Sequence, residues 1–356
     1  MRRLVPPRAP DRGGVVKRAG LDRLLLAHGS GGRLTHELVT GTFLPPLDNP
    51  ILATLTDAAI LPELPPGRAA LTTDGFVVDP PVFPGGDLGH LSVCGTVNDL
   101  AVAGARPLWL TWALILEEGV DGELLAACAR GAAAAAAAAG VQIVAGDTKV
   151  VPRGKGDRIY AVTAGLGVVP PGREVTDSRI ADGDVVVASG PLGDHGATIM
   201  AVRHGLEVGE LRSDCAPVNG LVEALFEAGV DVHTMHDPTR GGVLTVCNEV
   251  AARSGKRIVL QETAIPIRPQ VRAVCEVLGL EVLGLACEGR VLAWVPGDQA
   301  ETALAALRAH PAGRDAAIFA RVEHRNPGDV PVILETEVGS LRPLDMLSGS
   351  DLPRIC

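Results

Sequence analysis

One stretch divides this chain into two. Residues 170–184, PPGREVTDSRIADGD, are rich in Pro, Gly and charge, and they separate two long runs in which β-type and helical patterns alternate. In the first run, strands are expected over 70–78, 108–116, 142–151 and 159–169, with helices over 88–105 and 124–140. The second run restarts with strands near 185–189, 231–235 and 258–260, helices near 196–204, 219–228 and 241–254, and late β structure over 311–335. At 356 residues the chain is too long for one ordinary core and natural for two. Alternation in both halves predicts an α/β (α+β) fold of two domains, 21–172 and 173–344. The last residues, 345–356, carry no periodicity and read as a flexible tail. Residues 1–20 are basic and rich in Pro and Gly, and they lack the apolar stretch of a secretory signal, so they read as a disordered extension.

Composition narrows the function. Hydrophobic residues make up 47% and charged residues 21%, enough to bury a real core. The net charge of −10 has the wrong sign for a phosphate-backbone binder, and 3% aromatic content leaves little to stack on bases. No nucleic-acid partner is expected. No apolar run reaches the roughly 18 residues that would span a membrane. The seven Cys form no CxxC pair and no zinc-site spacing, which favours a reducing, cytoplasmic compartment.

Common catalytic signatures are missing. There is no GxxxxGK[ST], no GxGxxG after a strand, no GxSxG and no HExxH. What stands out is a set of Asp residues at strand ends or in glycine-rich strings. They are Asp57 (LTDAA), Asp74 (TTDGF), Asp99 (TVNDLA), Asp147 (AGDTK) and Asp237 (HDPTRGG). Magnesium takes a few carboxylates together with waters and phosphate oxygens, so such Asp residues, brought together, could hold Mg–ATP without a P-loop. Each of them alone is as well explained as a helix cap or turn. HGSGG (28–32) and FPGGDLG (83–89) are glycine-rich segments opening towards helices, where backbone amides could meet phosphate. Asp237, Thr239 and Arg240 offer a carboxylate, a hydroxyl and a guanidinium that suit an anion. Thr148 and Lys149 follow Asp147 directly; the Lys could neutralise phosphate or handle protons. Glu288, in the apolar string ACEGR, could serve as a base. Cys356 is the last residue; on a mobile tail its thiolate could carry an acyl-type group into a pocket.

Taken together and in order, HGSGG, TTDGFVVDP, FPGGDLG, GTVNDLAVAGARPLWL, GDTKVV, GDHG, DPTRGG and the terminal PRIC resemble the hydrogenase maturation proteins of the HypE family. The resemblance runs from about Asp22 to Cys356. GTVNDLA and GDTK are similar to a wider superfamily that includes aminoimidazole ribonucleotide synthetase, selenophosphate synthetase and thiamine-monophosphate kinase; PRIC singles out HypE. One departure is Gly75, where the pattern has Ser after TTD.

The resemblance implies a two-domain fold whose N-terminal domain dimerises through its sheet and binds ATP, with the C-terminal domain over the site. It implies a homodimer and two partners. The carbamoyltransferase HypF loads a carbamoyl group on Cys356, and a HypC–HypD complex takes the cyano group for the iron of [NiFe]-hydrogenase. The reaction between these events is the ATP-dependent dehydration of an S-carboxamide to a thiocyanate. Asp57, Asp74, Asp99 and Asp147 are then the expected magnesium ligands, with Asn98 as a neutral helper. Glu288 and Lys149 share the proton chemistry, in an order the sequence leaves open. A small-molecule ATP-dependent synthetase or kinase of the same superfamily is the alternative; it would not need a terminal Cys.

Overall fold

The computed structural model describes residues 21–346 and 355–356. The expected extension over 1–20 and most of the expected tail, residues 347–354, lie outside the described residues.

Four strands build the first sheet: β1 (Arg68–Phe76), β2 (Arg106–Glu117), β3 (Gln142–Val151) and β4 (Ile159–Val169), in the order β1-β4-β2-β3. β4 runs antiparallel to both β1 and β2, while β2 and β3 are parallel. A parallel pair needs a crossover, and between β2 and β3 the chain makes one through a helix. The two long helices of this half are α1 (Leu88–Val102) and α2 (Gly122–Ala139), the latter being that crossover. Asp121 opens α2 by accepting from the Glu123 amide, and Gly140 closes it in the left-handed conformation. Its alanine run has the highest helix propensity, and Ala132, Ala135, Ala136 and Ala139 bury one face at helical spacing.

Helix α1 is buried almost all round, because it lies on β1 and β4, against α2, and beneath the second domain. Asp87 caps it through the His90 amide at 2.9 Å. The α1–α2 contact is so close that a Cβ on Gly89 would stand 1.8 Å from the Cys128 carbonyl oxygen. The opposite face of the sheet is uncovered and apolar: Leu71 is 77% exposed, Val162 40% and Ile115 37%.

The second sheet holds β5 (Val185–Ala188), β6 (Thr234–His236), β7 (Arg257–Gln261), β8 (Leu292–Val295), β9 (Ala317–Glu323), β10 (Val332–Glu335) and β11 (Leu341–Pro343). Their order is β11-β10-β7-β9-β5-β8-β6, antiparallel except for β7 beside β10. Around it lie α3 (Asp194–Arg203), α4 (Asn219–Glu227), α5 (Gly242–Ser254), α6 (Pro269–Leu278) and α7 (Ala300–Ala309). Side chains alternate across the strands. Val186 and Ala188 join Trp294 and Phe319 under α5, whereas Val187, Ala293 and Val295 point to the core beneath α4 and α7.

Between the sheets, residues 170–184 are fastened down. The Arg173 guanidinium donates to both carboxylate oxygens of Glu223 on α4, at 2.6 and 2.7 Å, and lies 4.0 Å above the Phe226 ring. Arg106, from β2, donates to the same Glu223 at 2.9 Å. Burial of Arg173 makes this bidentate pair stronger than a surface one. Arg173→Ala is expected to cost about 2 kcal/mol, read as a lower urea midpoint with an unchanged slope.

Candidate active site

A cavity of about 150 Å³ opens between the domains. The first domain contributes Asp74 from β1 and Asp99 from α1; the second contributes Asp237, Thr239, Arg240 and Glu288; Cys356 enters from the chain end. Thr72 donates to Asp99 at 2.9 Å and so fixes its carboxylate. Before α5 the backbone turns through positive φ at Gly241 (76°) and Gly242 (57°). A Cβ at Gly242 would meet the Leu285 carbonyl oxygen at 2.5 Å, so only glycine lets this turn pack beside the segment that carries Glu288.

Three Asp residues face this cavity without enough positive charge to balance them. Burial first, then the neighbouring Asp99 and Asp74 charges, pushes the Asp237 carboxyl up to about 7. Burial and Asp74 likewise raise Asp99. Carboxylates that repel one another in this way fit a divalent cation. Asp237 is therefore protonated in the folded chain at pH values where it is ionised in the unfolded one. The folded state holds the extra proton, so this group's contribution to stability falls as pH rises from about 4 to about 7. Asp194, pushed up to about 6, acts in the same direction. Asp237→Asn is expected to flatten the decline of melting temperature over that window, and to leave the parts due to Asp194, Asp99 and Glu288.

Glu288 is buried, and its Oε1 has no hydrogen-bond partner. Burial, then Asp237, Asp214 and Asp74, push its carboxyl well above the usual range. Its backbone is held on both sides. The amide donates to Asp214 at 3.1 Å, and the carbonyl accepts from Asn98 at 3.2 Å and from the Ala216 amide at 3.3 Å. Cys356 lines the same cavity as Glu288, and burial and the Glu288 charge push its thiol well above its ordinary value.

The chain end is held in place by other residues. Ile355 is buried in a core cluster made mostly of first-domain side chains and joined by Ile199, Cys215 and Ala286 of the second. Its carbonyl accepts from His195 Nε2, and the Cys356 carbonyl accepts from the Val77 amide at 3.3 Å. Because Nε2 must donate, His195 is the tautomer whose Nδ1 accepts from the Ser213 hydroxyl at 2.8 Å. Burial lowers its pKa, in keeping with a neutral ring. His195, in the GDHG string, reads from sequence as a structural His; the structure gives it the chain end to hold.

The remaining expected site residues lie elsewhere. Asp57, Asp147 and Thr148 line a second cavity of about 280 Å³, whose walls are largely apolar: Phe43, Leu47, Leu52, Trp112 and Ile143 among them. This cavity is closed on one side by the helical segment following HGSGG. Lys149 is exposed and pairs with the Asp147 carboxylate at 2.6 Å. It lines neither cavity within one chain, contrary to its expected place beside Glu288. Asn98 also departs from expectation. Its oxygen accepts from the Val218 amide at 2.8 Å and its nitrogen donates to Ala216 and Glu288 carbonyls, so it joins the domains and positions Glu288 instead of facing a ligand. Asp87, in FPGGDLG, is a helix cap. At Gly75, which lines the Cys356 cavity, a Cβ would meet nothing within 4 Å, so the missing Ser is not excluded by packing.

The two-domain architecture is that of the AIR synthase related proteins. Residues 55–169 match their N-terminal domain and residues 181–333 their C-terminal domain. Carbamoyl dehydratase HypE of Rhodobacter capsulatus is 47% identical over 94% of this chain and 98% of its own length; that of Escherichia coli K12 is 44% identical over 94% and 100%. A crystal structure of the hydrogenase maturation protein HypE in complex with ATP, 45% identical, superposes with a TM-score of 0.89 over 94% of this chain and 100% of its own. A HypE–HypF complex, 42% identical, gives 0.76 over 89% and 100%. The chain belongs to the carbamoyl dehydratase HypE family of hydrogenase maturation enzymes. Among the described residues no helix is long and apolar enough to cross a membrane.

Proposed function

We propose that this chain dehydrates a carbamoyl group carried on its own Cys356, using ATP, to give a thiocyanate for the cyanide ligands of [NiFe]-hydrogenase. The observation that carries this reading is the Cys356 thiol seated against Glu288 in a cavity lined by carboxylates and Arg240. An amide oxygen leaves poorly as hydroxide or oxide. ATP supplies a γ-phosphoryl group that turns it into phosphate, a good leaving group, and the two nitrogen protons must depart with it.

Each residue then has a task. Glu288, once ionised, accepts a proton from the carbamoyl nitrogen; its partnerless Oε1 is the free acceptor. A cation bound beside it favours that ionised form. Asp74, Asp99 and Asp237 would hold magnesium, and Arg240 a phosphate oxygen. His195 and Val77 hold the chain end so that the loaded sulfur points into the cavity. The apolar cavity beside Phe43 and Trp112 suits the adenine of ATP, with Asp57, Asp147, Thr148 and Lys149 at its phosphate end.

These two cavities belong to opposite edges of one sheet. Asp74 is on β1 and Asp147 on β3, three strand spacings or about 14 Å apart. A homodimer formed through the uncovered apolar face would bring the β3 edge of one protomer to the β1 edge of its partner. The nucleotide cavity of one chain would then serve Cys356 of the other. Mixing Cys356→Ala with Asp147→Asn tests this. Neither variant is active alone; the mixture is expected to regain about a quarter of wild-type turnover, since half the dimers are mixed and each holds one intact site. A mixture as inactive as its parts would contradict the shared site. HypF as carbamoyl donor and a HypC–HypD complex as acceptor complete the reading. The known HypE–HypF complex supports the first.

A further inference from the structure

Near the Cys356 cavity, but among residues that do not line it, one imidazole and two thiols meet. His90 and Cys94 stand one turn apart on the same side of α1, and Cys215 comes from the second domain in the segment before α4. The His90 ring nitrogen and the two sulfurs all lie within 4.8 Å of one another. Each of the three offers one ligand atom to the same small space. Both cysteines are buried free thiols, while His90 is half-buried and leaves a way in from solvent.

We propose that His90, Cys94 and Cys215 form a binding site for a thiophilic divalent metal ion of the zinc class. Zinc bonds of about 2.0 to 2.3 Å place tetrahedral ligand atoms roughly 3.5 to 3.8 Å apart, a small contraction from the arrangement found. One imidazole and two thiolates are the donors that select such a metal over magnesium. The surroundings are prepared for it. Ser213 Oγ accepts from the Cys215 amide at 3.1 Å and holds that residue's backbone. The carboxylate of Asp87, at the α1 N-terminus, lies close enough to act on both His90 and Cys94 and would offset the metal's charge. Binding releases the two thiol protons to solvent and leaves a fourth position for water. It also ties α1 to residues 213–218, and so to Glu288 through Ala216 and Asn98.

Cobalt(II) is the probe, added to the reduced full-length Cys356→Ala chain so that the terminal thiol cannot bind it. One equivalent is expected to bind with thiolate-to-cobalt charge-transfer absorption and the visible bands of a tetrahedral ion, and Zn(II) should displace it. Cys94→Ser/Cys215→Ser should abolish these bands. His90→Gln changes only a half-exposed side chain, so it should fold. It should weaken binding at least ~100-fold, since loss of a mere outer partner of a metal ligand already costs 10- to 100-fold. Zn(II) should also protect Cys94 and Cys215 from alkylation in the unmutated chain, a readout that needs no variant. Absence of saturable binding in the folded chain, equal binding by His90→Gln, or alkylation of both thiols unaffected by Zn(II) would each overturn the site.

Discussion

Cys356→Ala is expected to abolish carbamoyl dehydration while leaving the fold and its melting temperature unchanged. The terminal side chain is half-buried, and what anchors the chain end is the buried Ile355 side chain, its carbonyl on His195 and the Cys356 carbonyl on Val77. None of these depends on the sulfur. Without the sulfur there is no atom to carry the carbamoyl group, so turnover falls to background, not by a finite factor. Intact mass after incubation with HypF, carbamoyl phosphate and ATP, beside a thermal melt, checks both halves. A Cys356→Ala chain that still turned over would point to the small-molecule synthetase or kinase alternative.

Glu288→Gln is expected to separate loading from chemistry. Gln has the shape and charge of the protonated carboxyl that burial favours, and the backbone hydrogen bonds to Asp214, Asn98 and Ala216 do not involve the side chain. The variant should therefore fold and accept the carbamoyl group. Its dehydration rate should drop by about 10²- to 10⁴-fold, the usual worth of a positioned acid–base group. The pH dependence supplies the discriminating readout. The wild-type rate should rise with pH as the raised carboxyl ionises, and Glu288→Gln should lose that limb. Stability should move the other way. The raised Glu288 carboxyl binds a proton that the unfolded chain releases above its ordinary value, so it costs the folded chain stability as pH rises. Gln removes that cost, and the variant should melt no lower than wild type near neutral pH. Single-turnover dehydration of preloaded protein, measured across pH, gives the first result, and melts at the same pH values give the second.

Much of the fold was legible because local signals agreed with the tertiary structure. β3 and β4 span the residues their apolar patterns predicted, and α2 is bounded by its Asp and Gly caps. Helix α6 carried signals as clear: Pro269 in its first turn, Val271, Val274 and Cys275 at helical spacing, and Gly279 after its end. The chemistry-bearing residues stood out by type and setting, but their grouping did not. Asp74 and Asp147 look alike in sequence, yet strand order sends them to opposite edges of the sheet. Asn98 sits beside Asp99 in the chain, but the helix turns its carboxamide towards the second domain. The attachment of His195 to Ile355 spans 160 residues, and Cys215 meets His90 and Cys94 only because the second domain packs on α1. His90 and Cys94 stand four residues apart, but that spacing marks no metal site until the fold adds Cys215.

The most direct test is intact mass at two stages of the reaction, first on the Glu288→Gln chain and then on the wild-type chain. With HypF, carbamoyl phosphate and the ATP that HypF consumes, and with dehydration held back by Glu288→Gln, one carbamoyl group should be retained on Cys356. In the wild-type chain with Mg–ATP, that same adduct should lose the mass of one water. A Cys356 left unmodified by an active HypF, or a wild-type adduct that keeps its water in the presence of Mg–ATP, would contradict the account.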